Sequence, residues 1–271
     1  MFGVGKAVAV ALILIWSLVP ILFIVVSSVK PSNVIFAVPP RFIFKPTFAH
    51  YVSLWVHWRP FFAGLVNSLV VTAGATILAV LASALAGFAY SRYRGSRMAS
   101  SAAFLVITRL IPPIVLTLPL FPIVNWLGIE DTRLALVLLY ATFFVSLGTL
   151  LMRAFVDQIP REIDQAAMID GAGRLTMLWR IMLPLAGPGM LAVAVFVIVF
   201  SWNEFIFAFI FTSTNARTAP IVLSQMTSSF DGVHWGVLFS AATVQLIPVL
   251  IFVVLTQKVL VAGLTTGATK G

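Results

Sequence analysis

The 271-residue sequence has no cysteine, only three histidines, and charged residues at just 9%. Without cysteine, neither a disulfide framework nor a thiolate metal site can form. His50, His57 and His234 lack metal-ligand spacing and fall in loops between apolar stretches, so they are expected at the surface without a metal. The Gly-x4-Gly-Lys-Ser/Thr loop that cradles nucleotide phosphates is missing, which excludes an ATPase of that type. Internal repeats and low-complexity tracts are also absent.

What the sequence does contain is apolar. Hydrophobic residues reach 61% and the mean hydropathy is +1.09, whereas soluble domains carry about 25% charged residues. The composition is that of an integral membrane protein. Seventeen basic and eight acidic residues give a net charge of +9. These charges sit in loops, with no compact basic face or nucleic-acid motif, so nucleic acid is not an expected partner.

A helix crosses the hydrocarbon layer with about 20 apolar residues. Six segments qualify, at residues 7–29, 62–90, 101–123, 133–155, 187–213 and 237–262. None alternates as a barrel strand would. The expected fold is an all-α, six-helix membrane bundle in a single domain, with a loop at 156–186 and a tail at 263–271. The first segment is too long for a signal-peptide core and lacks a small-x-small cleavage site, so it reads as a retained helix. With the N-terminus cytoplasmic, ten Lys and Arg lie on that side and six on the other, with Arg109 inside the third segment. This bias places both termini and the 156–186 loop in the cytoplasm. The loop at 30–60, rich in proline and aromatics, reads as an outer cap with Trp55 and Trp58 at the interface.

The 156–186 loop is a polar island in an apolar chain. Pro160 opens a helix, and Ile163, Ala166, Ala167 and Asp170, at spacings of three and four, are expected to share one small, flat face. Gly171 and Gly173 end it. A second amphipathic helix is expected to put Leu175, Leu178, Trp179 and Met182 on one side, away from Arg174 and Arg180, before Pro184 and Pro188 turn the chain into the fifth span. Such a pair either lies on the membrane surface or offers a smooth helix to a cleft in another protein.

The spacing Ala166-Ala167, three residues, Gly171, nine residues, Ile181, one residue, Leu183-Pro184 resembles the signature loop of ABC-importer permeases. Gln165 stands where that family usually has Glu. Six helices, a Pro-rich first outer loop, "FSWNEFIFAFIFT" at 200–212 and the ending "VLVAGLTTGATKG" narrow the resemblance to the G-type, maltose-permease-like subunit of carbohydrate importers. The resemblance implies a type I ABC importer permease fold in a bacterial or archaeal plasma membrane. It also implies an F-type permease paralogue, two ATP-binding subunits that hold ATP and Mg, and an extracytoplasmic sugar-binding protein; no cofactor or metal belongs to this chain. Glu162, Gln165, Ala166, Ala167, Asp170, Gly171, Ile181, Leu183 and Pro184 would then dock on the ATPase, with Gly267 and Lys270 of the tail as a second contact. The Glu that Gln165 replaces would form an exposed pair worth only about 0–1 kcal/mol, and Glu162, Asp164 or Asp170 can supply a neighbouring charge.

Inside the membrane, Trp202, Asn203 and Glu204 offer an aromatic face and hydrogen-bonding groups for a sugar, or polar links between helices. Arg109, ahead of Pro112, Pro113, Pro119 and Pro122, gives the third span a charge and breaks, suited to a path or to a static kink. Asn67 is a further path candidate, alongside Asn125, Tyr140 and Gln245. The competing functions are an ion-coupled secondary transporter or channel using Glu204 and Arg109, and the same importer role with glycerol phosphate as substrate. Trehalose or maltose is the expected kind of sugar. A membrane enzyme would need paired carboxylates or histidines near one membrane face, which the sequence does not offer.

Overall fold

The computed structural model describes residues 3–93, 95–228 and 232–268, with side chains described as far as Gln257. All regular structure among these residues is helical. The long elements are α1 (Val4–Ser27), α4 (Arg59–Arg92), α7 (Arg133–Val156) and α13 (Trp235–Ala268). Short α2 (Ser32–Ile35) and α3 (Ala49–His57) precede α4. Between the long helices run α5 (Ser96–Thr108), α6 (Pro113–Trp126), α8 (Arg161–Ile169), α9 (Arg174–Leu185), α10 (Gly187–Trp202), α11 (Ile206–Phe211) and α12 (Ala219–Gln225).

Four helices are long and apolar enough to cross a membrane, and six spans result if each of two bent pairs counts as one. The third sequence segment is one such pair: α5 and α6 meet at 103°. Pro112 and Pro113 explain the break, because a residue before proline is driven out of the α region and Pro113, at the first position of α6, fits a helix's first turn without costing a hydrogen bond. The other pair is α9 and α10, which meet at 71° where the expected 156–186 loop passes into the fifth segment. A second interruption, at Asn203 to Phe205, separates α10 from α11, so the expected run at 187–213 is not one straight helix. The last helix continues to Ala268, absorbing most of the stretch expected as a tail.

The chain divides into two compact units, residues 1–65 with 219–250, and residues 66–218 with 251–271. The first unit has a core of Leu54, Phe61, Val222, Met226 and Val237. Here His50, expected at the surface, is buried, with Nε2 2.8 Å from the Lys30 carbonyl. Gly236 packs directly on that ring, where any side chain would collide. Helix α1 buries almost nothing within the chain although it is apolar all round, so lipid or another subunit must cover it.

The second unit is built on close contact between α4 and α7. With lipid outside as apolar as the interior, helices associate through packing and small residues at the seam. Gly74 lies against Val137, Gly87 against Met152 and Arg153, and Gly148 against Ser83. A Cβ at Gly87 would fall 2.5 Å from Met152 Cβ and 2.8 Å from the Arg153 backbone nitrogen, whereas one at Gly74 would meet only the methyl groups of Val137, at 2.9 Å and beyond. The second clash meets side-chain atoms alone, which can yield by a few tenths of an ångström, whereas the first meets backbone. Gly87→Ala should therefore cost about 1–3 kcal/mol of overpacking. Gly74→Ala should be close to neutral once the helix-propensity gain is counted. Thermal unfolding of the purified protein would rank the two, and equal melting temperatures would refute the seam.

Candidate functional site

The expected signature loop folds as a platform of two short helices. Pro160 takes the N-cap position of α8, and Glu162 and Asp164 in the first turn complement its positive end. The helix stops at Gly171, at φ +77°. The Gly171 amide donates to the Met168 carbonyl at 3.1 Å and the Ala172 amide to the Ala167 carbonyl at 2.9 Å. That pair of bonds is a Schellman closure, and its left-handed residue favours glycine. A Cβ here would meet nothing within 4 Å, so the position is constrained by backbone conformation and opens outward.

The expected faces are corrected by the packing. Asp164 and Ala167 point inward, Ile163 is half-buried, and Glu162, Gln165, Ala166 and Asp170 are exposed. Ala167 is therefore part of the anchoring face and does not share an outer surface with Ala166. Residues Met177–Met182 of α9 form a π-helix, with Met177, Leu178 and Met182 buried. The wider turn breaks the 3.6-residue stripe expected there. Leu175 and Trp179 are turned out, at 72% and 53% exposed, as is Ile169 of α8 at 86%. Ile181 and Leu183 are half-buried and Pro184 is exposed.

Arg92, at the end of α4, anchors this platform, although in the sequence it counted only as one of many loop cations. Its Nε lies 2.5 Å from Asp164 Oδ2. Its Nη1 and Nη2 donate to the carbonyls of Val156 and Ile159, at 3.2 and 2.9 Å. Val156 ends α7 and Ile159 lies in the turn that follows it, where the chain has left its regular helical hydrogen bonds. Ser91 donates to Asp157 at 2.5 Å, and Arg161 donates back to the Ser91 carbonyl at 3.0 Å. The ends of α4 and α7 and the start of α8 are thus tied through one buried guanidinium and its neighbours.

Within the fifth segment, Glu204 accepts from the backbone amides of Phe207 and Ala208, at 3.0 and 3.2 Å. It caps α11, supplying acceptors to donors that a helix start leaves free. The hydroxyl of the buried Tyr140 lies close to the same carboxylate. Trp202 is buried and presents no open ring face. Asn203 is exposed, with its amide on the Val199 carbonyl at 2.8 Å. The Arg109 guanidinium, at the α5 break, sits 4.9 Å from the centre of the Phe143 ring.

Asn67, a path candidate in the sequence, is engaged as a clamp. Both its amide hydrogens are used, on the carbonyls of Asn215 and Arg217 at 2.9 and 2.8 Å, and its oxygen accepts from Arg133 Nε at 2.7 Å. Those bonds hold the 213–217 loop. Asp131, which the sequence did not single out, holds the same loop through its backbone amides. Its carboxylate takes the backbone amides of Ser213, Thr214, Asn215 and Ala216 at 2.9–3.2 Å, besides the Ser213 hydroxyl and the Asn215 amide. The residue adopts φ +54° to do so. Partial burial opposes its ionisation, but the hydrogen bonds from Asn215, Ser213 and Ala216 outweigh this and hold the carboxyl well below the usual range. Of the expected tail contacts, Gly267 falls in the part of α13 whose side chains are not described, and Lys270 lies outside the described residues.

The sequence profile of the family described as binding-protein-dependent transport system inner membrane component matches residues 79–266. An inner membrane ABC transporter permease protein of Escherichia coli (strain K12) is 34% identical, over 99% of this chain and 96% of its own. A trehalose transport system permease protein of Mycobacterium tuberculosis is 34% identical, over 98% and 97% of the two chains. A trehalose/maltose transport system permease protein of Thermococcus litoralis is also 34% identical, over 87% and 88%. Among solved structures, a chain of a bacterial ABC transporter involved in the import of alginate superposes with a TM-score of 0.79 at 20% identity, covering 95% of each chain. The architecture is that of a type I ABC importer permease.

Two expectations follow from the geometry. Arg92→Met should destabilise the protein by about 3–5 kcal/mol by leaving Asp164 buried and unpaired. Adding Asp164→Leu should recover much of the loss in a double-mutant cycle measured by unfolding. For Asp131, the depressed folded-state pKa means that its contribution is present above the ordinary aspartate range and is lost as pH falls through the lower folded value. Acidification below about pH 4 should therefore cost the wild type stability that Asp131→Asn has already lost. Parallel pH–melting curves for the two proteins would contradict this.

Proposed function

The chain belongs to the binding-protein-dependent transport system inner membrane component family, and from that premise we propose that it forms half of the translocation path of an ATP-driven sugar importer. The observation that carries the proposal is the platform: two short helices presenting Ile169, Leu175 and Trp179 outward, bound through Arg92 to the ends of α4 and α7. Exposed apolar side chains rimmed by polar residues mark a protein contact. In this reading an ATP-binding subunit receives the platform, and its motion passes into the spans through the anchored face.

The partners are an F-type permease paralogue, two ATP-binding subunits carrying ATP and Mg, and an extracytoplasmic sugar-binding protein. This chain itself is a transport component and performs no catalysis. The platform and both termini lie in the cytoplasm. The trehalose and trehalose/maltose permeases among its relatives support a disaccharide or oligosaccharide substrate, with glycerol phosphate as the alternative. An ion-coupled mechanism loses its best candidate, because Glu204 is occupied as a helix cap.

Gly171→Asp tests the coupling. Aspartate tolerates the left-handed conformation better than most residues, and the open surroundings admit its side chain without a clash. The protein should fold and still copurify with an ATP-hydrolysing partner, while sugar uptake falls by ~5- to ~150-fold, the range of typical coupling free energies. Undiminished uptake would remove the docking assignment.

A further inference from the structure

Two cavities lie along the same pair of helices, α5 and α7, and their walls differ in kind. The first, of about 770 Å³, lies at the platform end and is lined by Arg92, Arg153 and Arg161, with Tyr90, Tyr93 and one acid, Asp157. Asp164 and Asp157 each approach one guanidinium, at 2.5 Å from Arg92 and 3.6 Å from Arg153. Among the described residues Arg161 has no acid partner, and Arg174 stands over the Tyr93 ring at 6.0 Å. The start of α5 also borders this cavity; it has neither a side-chain cap nor an acid in its first turn. Among the described lining residues the excess charge is positive.

The second cavity, of about 550 Å³, is walled by Leu105, Leu116, Leu120, Leu139 and Phe143. Met98 and Ala102 of α5 line the first cavity, and Leu105 and Arg109 line the second. Steps of four, three and four put these residues on one helical face, so a single stripe runs from the cationic cavity into the apolar one. The stripe is roughly 17 Å long at 1.5 Å per residue. Arg109 closes its far end, held against the Phe143 ring.

We propose that this stripe binds one anionic glycerophospholipid from the leaflet on the platform side, with its phosphate among Arg153, Arg161 and the start of α5 and an acyl chain in the apolar groove. Basic pockets between membrane helices attract anionic head groups. A sugar would waste the apolar half, and inorganic phosphate would fill only the cationic half. Because Arg161 ties the start of α8 to Ser91 of α4 and Asp157 ties the end of α7 to the same residue, the bound head group touches the residues that position the platform. The site requires only that the chain spans a bilayer, so it stands or falls separately from the sugar-import reading.

The test is native mass spectrometry of the assembly containing this chain, extracted from membranes of phosphatidylglycerol and phosphatidylethanolamine. The wild type should retain phosphatidylglycerol in preference to phosphatidylethanolamine. Arg153→Gln with Arg161→Gln should weaken that retention by about tenfold or more. Leu120→Trp, which fills the groove without altering charge, should weaken it as well, with the melting temperature of each assembly recorded alongside. Absence of any head-group preference in the wild type would overturn the proposal whatever the variants do, and would be the result if a partner subunit fills the groove. Retention indifferent to Leu120→Trp, or abolished by millimolar inorganic phosphate, would identify a phosphate site and overturn it equally.

Discussion

One guanidinium holds the functional end of the molecule together. Arg92 meets a carboxylate from α8 and two carbonyls at the end of α7. Each of those partners has a physical reason to need it. The carbonyls lie where a helix runs out of internal donors, and Asp164 is buried, where a lone charge would be costly. Arginine suits the position because its donors fan out in a rigid plane and it stays charged when buried. Lysine, a point charge, would not serve three acceptors on two elements with the same geometry. The consequence is mechanical: α8 cannot shift without carrying the ends of α4 and α7, or without breaking a buried ion pair.

The bilayer imposes the second constraint, that every interrupted helix must find new partners for its backbone. The break at 203–205 shows how the chain does this, with Glu204 occupying the amides at the start of α11 and Asn203 closing on the Val199 carbonyl at the end of α10. A carboxylate in an apolar segment thus finds its use in the backbone. On the loop between α11 and α12, Asp131 and Asn67 perform the same service, one with a carboxylate and one with an amide. Polar side chains here mostly replace backbone hydrogen bonds that the fold has given up.

This economy decides what can be read from the sequence. The apolar runs mark the four long helices and the bent α5–α6 pair, because the thickness of the hydrocarbon layer fixes their length, and Pro112 and Pro113 mark the break in the third segment. Gly171 is legible because a helix stop with a left-handed residue is a local event. The roles of Asn67, Glu204 and Arg92 are not, since the partners that give Asn67 and Arg92 these roles lie more than sixty residues away and Glu204 caps a helix that periodicity merges with its neighbour. A positive φ at Asp131 carries no sequence signal either, aspartate being common in turns of every kind. The π-helix at Met177–Met182 misleads more directly, because a 3.6-residue stripe assigns Leu175 and Trp179 to the wrong side.

The same π-turn bears on what the platform can do. An α-helical continuation would bury Leu175 and Trp179 with Leu178 and Met182 and leave a polar outer surface beside α8. The wider turn keeps Met177, Leu178 and Met182 inside and turns two large apolar side chains outward. Exposed apolar surface of this kind is disfavoured unless something covers it, whereas the inner side is already satisfied by the Arg92 network. The platform therefore has two unlike faces: one fixed to the spans by buried charge and packing, the other left apolar and open. Gln165 lies on the open face without a charge, so a partner meeting that face would find mainly shape and apolar surface, with Glu162 and Asp170 as the nearby acids.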